Sequence, residues 1–444
     1  MLLQFTTKNF KAFKEKATLS LVASNYDKNT RETDNVFEDS KFNLRLLKSA
    51  VVYGANASGK SKLFDALLFM RRFVVISSRE SQKGDYIEVD PFRLDEESEK
   101  MPTEFEVVFT YKEVLYRYGF EANKERIVSE WLYYRPKTKE IELFYRDSEG
   151  ISTHDRNFSK GNMVIKEGLV RDNALLVSVA AQFNDATCIA VIDWFKSLKT
   201  ISGLHESSYK GYTMNRTKDP IHKLQILELL KAADLGIQDI HLQKLEIENL
   251  PKGMPKELKA KIIKEINEEK KELVSDILTT HKRYNSLKKA FDTVNFSLDD
   301  DESSGTKKFF ALTGPILDVL ENGHTLVVDE LDSKLHPNLV GKIVSLFNSK
   351  ELNQKNAQLI FNTHNTNLLK DDLFRRDQIW FTEKNKYGAA KLYSLADFKS
   401  DTVRKMEPFE ENYIRGKYGA VPFLNSFDYL NEMLPKYEKA KQEG

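Results

Sequence analysis

From Leu2 to Val22 apolar and polar positions alternate around Phe5, Phe10 and Phe13 and end in the strand-like Ala17–Val22, which predicts β-structure. Ala50-Val51-Val52-Tyr53 is a continuous apolar run, and Ser61 to Leu68 then takes helical spacing. Phe105–Tyr111 and Val114–Phe120 predict two strands joined by a short charged turn; Trp131–Tyr134 and Ile141–Tyr145 extend them into a β-meander. The spacing turns helical from Leu175 to Leu198 and again from Pro220 to Ala233. Lys252 to Glu272 holds seven lysines and five glutamates. Leu258, Ile262, Ile266, Leu273 and Ile277 fall at helical spacing within and just after it, predicting a solvated amphipathic helix; the sharper reading is a short arm for dimerisation or docking. From Phe291 the β/α pattern resumes, with Thr325–Val328 and Gln358–Phe361 as buried parallel strands.

Composition narrows the class. A chain of 444 residues has room for two or three domain-sized units. Charged residues make up 30% and nearly cancel, at formal +1, so global charge does not point to nucleic acid and leaves room only for a local basic face. The single cysteine, Cys188, lies in an apolar segment and reads as a buried small hydrophobe. Without an internal disulfide, with no basic start leading into an apolar core, and with the longest uncharged apolar stretch, Asn173–Asn184, too short to span a bilayer, the expectation is a soluble cytoplasmic protein with no membrane partner.

The sharpest chemistry is Gly54-Ala-Asn56-Ala-Ser58-Gly59-Lys60-Ser61-Lys62, between a predicted strand and a helix start. Such a loop wraps its N–H groups around a polyphosphate, with Lys60 on the β- and γ-phosphates and the Ser61 hydroxyl on Mg2+. The apolar strand Thr325–Val328 ends in Asp329 and Glu330. Asp329 is the expected metal ligand, and Glu330 the candidate base for the attacking water. More than half the chain separates Gly54 from Asp329, which excludes small kinases and GTPases that close the site within one compact domain. Ser303-Ser304-Gly305 before the helix-like Phe309–Leu320 forms a second anion site, Asp332 follows the acids, and His364 ends another buried strand.

Glycine loop, Ser304-Gly305, Asp329-Glu330, Asp332 and His364, in that order, resemble the ABC-type ATPase fold shared by SMC and DNA-repair ATPases. Within that group the chain most resembles stand-alone AAA-type ATPases of the RloA/AbiL kind, including the ATPase subunit of PARIS-type phage defence. Lys8–Phe13, Pro91–Leu94 and Glu411–Pro422 carry the closer likeness. The resemblance implies an α/β P-loop ATPase head with a β-rich N-terminal lobe and a mostly helical insertion. It divides the chain into 1–195 and 291–444 as the two halves of the head, with 196–290 as insertion. It further implies ATP and Mg2+ as cofactors, and a homodimer or higher oligomer in which Ser304 and Gly305 of one chain complete the other's site. His364 and Lys60 join Glu330 as catalytic groups.

A glutamine between loop and signature, frequent in this fold, is left unassigned, since Gln82 lies in a charged, loop-like stretch. The insertion is too short for long coiled coils, and the chain has no Cys-x-x-Cys hook. Only about 80 residues follow His364, with no Asp-x-Asp pair, so a built-in nuclease is not expected. The leading expectation is an ATP-hydrolysing switch of a bacterial anti-phage system controlling a separate effector, a nuclease. The alternative is an ATPase of DNA repair or maintenance that binds DNA directly. A transporter ATPase subunit and a non-hydrolysing nucleotide scaffold are the readings from other classes.

Overall fold

The computed structural model describes residues 1–80, 82–154, 156–245, 247, 250, 254–267, 274–370, 373–399 and 407–422. The apolar runs flanking the glycine loop assemble into a six-stranded sheet. Its order is Lys199–Ser202, Thr325–Asp329, Gln358–Asn362, Ser49–Tyr53, Ile379–Lys384, Ala390–Ser394. The first five strands are parallel and the last is antiparallel. Parallel strands covered on both faces show no alternation, which is why residues 50–53 read as one apolar run. Ala50 and Val52 enter one core with Val327 and Ile360, whereas Val51 and Tyr53 enter a second with Leu326, Val328, Leu359 and Phe361.

The first core is closed by a seven-stranded antiparallel sheet. It is the expected meander, Thr103–Tyr111, Val114–Ala122, Ile127–Arg135, Ile141–Arg146 and Ile151–Thr153, extended at its other edge by Leu2–Lys8 and Ala17–Ser20. Phe105, Val107 and Phe109 point inward at the strand period and meet Leu63, Leu67, Met70 and Val74 of the helix Lys60–Glu80. Gln358 stitches the two sheets together: its side chain accepts from Leu2 N at 2.7 Å and donates to the Leu2 and Leu47 carbonyls. The helical stretch expected over 175–198 is two helices, Leu176–Gln182 and Ala186–Ser197, broken where Asn184 adopts φ 64°. Cys188 is buried in the second, as expected. Among the described residues no single helix is long and apolar enough to cross a membrane.

The second core holds the helix Ser304–Asn322, which begins five residues before the predicted Phe309 because Ser303 caps it, accepting from Thr306 N at 3.1 Å. Pro315 lies inside this helix and removes the bond its N–H would give to the Ala311 carbonyl. The buried Thr213 hydroxyl repairs the gap, donating to Ala311 O at 2.6 Å and accepting from Gly314 N at 3.2 Å. Thr213→Val keeps the shape but orphans both groups, so it should lower stability by about 1–3 kcal/mol. A urea midpoint equal to wild type would contradict that repair.

The stretch 196–290 departs from the mostly helical insertion expected. Beside the helices Ser207–Arg216 and Pro220–Ala232 it supplies Lys199–Ser202 to the edge of the central sheet. It also supplies most of a three-stranded antiparallel sheet, Ile237–Lys244, Val274–Tyr284 and Ala290–Ser297. The charged helix exists, as Lys256–Asn267, but Ile277 sits on a strand. Ile277 pairs with Leu242 across the sheet, and it and Thr279, two residues on, are both buried, so the helical spacing carried past residue 267 is a coincidence of positions. Leu273 lies outside the described residues.

Candidate nucleotide site

The loop between Tyr53 and Lys60 leaves the central sheet at a parallel strand's carboxyl end and enters a helix N-terminus, the place where backbone N–H groups and the helix dipole favour anions. Gly54 is required here: a Cβ would collide with the Thr382 carbonyl and the Ser58 hydroxyl. Ser58 is buried, and its hydroxyl bonds to Thr382 Oγ1 at 2.7 Å, so its side chain anchors the loop to the neighbouring strand. Asn56 is exposed at the crest, and Lys62 turns to Asp65 at 3.1 Å.

Lys60 folds back over its own loop, donating to Gly54 O at 2.7 Å and Ala55 O at 3.1 Å. Burial lowers its pKa to about 8, against the pull of Glu330, Asp329 and Asp332. A polyphosphate would favour the ammonium and raise that pKa. Nucleotide binding should therefore take up a proton at about pH 8.5 and none through Lys60 at about pH 6, where the group is already charged. Calorimetry in two buffers of different ionisation enthalpy measures this; identical proton counts at both pH values would contradict it.

Asp329 and Glu330 end the strand beside the loop strand's neighbour, and three residues not expected from the sequence hold them. Asn362, fully buried at the end of Gln358–Asn362, donates from Nδ2 to Asp329 Oδ1 and accepts the Glu330 N–H at 2.5 Å. Glu330 is thereby kept at φ 57°, a left-handed conformation unusual for a non-glycine residue. Gly203 donates its N–H to Asp329 O at 2.6 Å, and a Cβ there would collide with the Glu330 carbonyl. Lys308, buried one turn into the helix Ser304–Asn322, donates to the carbonyls of Glu330 (3.1 Å), Leu331 (3.0 Å) and Ser333 (2.6 Å). Burial lowers its pKa to about 8, opposed first by Asp332. Asp332 in turn accepts from His364 N at 3.2 Å. Burial and then the Lys60 ammonium push the His364 imidazole down, so the ring is neutral near pH 7.

Lys60, Ser61, Glu330 and His364 line one cavity of about 660 Å3, together with Asn56, Ser58, Gly59 and Lys62 of the loop. The rest of its lining mixes apolar Ala12, Phe92 and Leu94 with Lys11, Asp90 and Lys384. The apolar three come from the Lys8–Phe13 turn and the 91–94 segment, joined by Lys11 N to Asp90 O at 2.7 Å and Phe92 N to Asn9 Oδ1 at 3.1 Å. A cationic, N–H-rich loop with apolar side chains in the same cavity suits a base attached to a polyphosphate. A second cavity, of about 600 Å3 near Trp194 and His324, has no such loop. Among the described residues no three metal-ligating side chains cluster. Nucleotide-borne Mg2+ needs only one or two protein oxygens; Ser61 lines the cavity, whereas Asp329 lies outside its lining, one residue before Glu330, with Oδ1 held by Asn362 and Oδ2 left to serve. Ser304 is exposed and Ser304-Gly305 lie outside the cavity lining of their own chain. The Glu411–Pro422 motif packs behind the site, with Tyr413 against Tyr53 and Phe381, and Ala420 N on Glu383 at 3.1 Å.

Comparison with curated proteins finds no match. Among solved structures the chain is similar to the SMC head domain from Thermotoga maritima, at 12% identity and TM-score 0.40, covering 88% of this chain and 98% of that one. It is also similar to an Smc head bound to the C-winged helix domain of ScpA, at 13% and 0.41, covering 88% and 97%. A third is an Smc head with an extended coiled coil bound to the C-terminal domain of ScpA, from Pyrococcus furiosus, at 14% and 0.33, covering 88% and 96%. The family model described as "AAA domain, putative AbiEii toxin, Type IV TA system" matches residues 49–370, which run from the glycine-loop strand past His364. The chain belongs to this family of P-loop AAA ATPases.

Proposed function

We propose that this chain is an ATP-hydrolysing switch of bacterial anti-phage defence, of the RloA/AbiL kind, working as an ATP-linked homodimer that controls a separate nuclease effector. The observation that carries the ATPase part is the convergence of Lys60, Ser61, Glu330 and His364 on one cavity, with Asp329 held beside them by Asn362. Family membership supports the defence part, since the family's description names an abortive-infection-type toxin.

In this reading Lys60 leaves the Gly54 and Ala55 carbonyls for the β- and γ-phosphates, an exchange its lowered pKa favours once anionic oxygens arrive. Ser61 and Asp329 would hold Mg2+, which neutralises phosphate charge. Glu330 orients a water in line with the γ-phosphorus and takes its proton. Neutral His364 donates a hydrogen bond at the γ-phosphate rim. Exposed Ser304 and half-buried Gly305 complete the site of the second chain with the helix N-terminus they begin.

The defence reading is tested with the native locus in a phage plaque assay. Wild type should reduce plating, and Lys60→Ala should restore it to the level of the empty vector. Protection that survives Lys60→Ala would detach the chain's role in defence from its nucleotide site.

A further inference from the structure

The chain's near-zero net charge conceals a strongly basic projection. From Ile277 to Phe291 the sequence holds Lys282, Arg283, Lys288 and Lys289 and no aspartate or glutamate. In the three-stranded sheet, Ile237–Lys244 starts opposite His281, so the hairpin beyond that point is a two-stranded ribbon with no flanking strand among the described residues. Residues 282–290 are all exposed, as are Tyr284 (58%), Leu287 (74%) and Phe291 (58%). The Arg283 guanidinium stands 5.6 Å over the Phe291 ring. Among the described residues none of the four cations makes an ion pair.

The tip is built rather than loose. Asn285 Oδ1 accepts from Leu287 N and Lys289 N at 3.0 Å each, and Lys288 takes φ 55°. This turn displays Lys288 and Lys289 side by side. The root is equally fixed: Glu302 accepts from Thr279 Oγ1 at 2.6 Å and pairs with His281 Nε2 at 2.7 Å. Glu302 immediately precedes Ser303, the cap of the helix that starts at Ser304.

We propose that the ribbon 282–291 is a contact element for duplex DNA. Four cations that make no ion pair among the described residues, set against the single Asp292 opposite Arg283, leave a net positive charge available to phosphates, and releasing condensed counterions is the main source of such affinity. A two-stranded ribbon has the width that a major groove of about 12 Å admits. Tyr284 and Phe291, interleaved with the cations, add the flat apolar surface that sugar and base edges need. An acidic protein would satisfy the charges without using the ribbon's shape, and it serves as the competing outcome of the test.

Binding is measured by fluorescence anisotropy with a labelled duplex of about 30 bp across about 50–200 mM salt, without nucleotide, so that the result does not depend on the ATP reading. The variant carries K282E, R283E, K288E and K289E; polyglutamate is the competitor polyanion. Wild type should bind with a steep salt dependence, and the variant should bind roughly 100-fold more weakly with a log–log slope smaller by roughly three. An unchanged thermal midpoint checks that the exposed substitutions leave the fold intact, and K288Q/K289Q should lose about half as much slope. Equal affinity of wild type and variant overturns the proposal. So does wild-type binding of polyglutamate with none of the duplex, which would make the ribbon a protein-docking element.

Discussion

Glu330→Gln should bind ATP at least as tightly as wild type and hydrolyse it about 10^2–10^4-fold more slowly, the range that loss of a positioned general base produces. Glutamine has nearly the shape of glutamate, and the backbone of residue 330 is held independently of the side chain. Its N–H goes to Asn362, its carbonyl accepts from Lys308, and Gly203 leaves room for the left-handed turn. Only proton acceptance and one negative charge disappear. Losing a charge next to the γ-phosphate removes repulsion, so the ATP-bound state should accumulate as a dimer on light scattering. Phosphate release at the wild-type rate would show that Glu330 is not the base.

Ser304→Arg should abolish turnover while leaving ATP binding to the single chain intact. Ser304 is exposed and lies outside the lining of its own chain's cavity, so a large side chain there disturbs neither Lys60 nor Glu330. It does block the open N-terminus of the helix Ser304–Asn322, whose N–H groups would otherwise point at a second chain's γ-phosphate. Loss of one set of oriented donors from a phosphoryl-transfer site lowers the rate about 10^2–10^3-fold. ATP affinity measured on the isolated chain should stay within about twofold. Wild-type turnover in this variant would place the complete site within one chain.

What could be read from the sequence follows from distance along the chain. The glycine loop, the acids after Thr325–Val328, the meander and the signature turn are local patterns in which neighbouring residues carry the whole signal. Asn362, Gly203 and Lys308 act on Asp329 and Glu330 from other elements, and a buried asparagine, a loop glycine and a helix lysine have no distinguishing local context. Asn362 was within reach, because a buried parallel strand ending in a polar residue next to the acid strand puts that side chain at the acids' level. Lys199–Ser202 was not: four half-buried residues at a sheet edge leave no apolar run to recognise. The helix drawn through Ile277 failed for another reason. Apolar residues three or four apart match a helix face, yet here the pairing to Ile237–Lys244 and Ala290–Ser297 decides the conformation. The break at Asn184, by contrast, is local: Asn184 takes the left-handed conformation after the first helix, and Asp185 caps the second, accepting from Cys188 N at 2.9 Å.

The shared-site dimer is tested most directly by mixing two inactive variants, Lys60→Ala and Ser304→Arg. In a mixed dimer the Ser304→Arg chain supplies an intact loop with Glu330, and the Lys60→Ala chain supplies an intact signature, so one of the two sites is whole. With random exchange about half of the dimers are mixed, and turnover should return to about a quarter of wild type. A mixture no more active than the sum of its two components would contradict a site built from two chains.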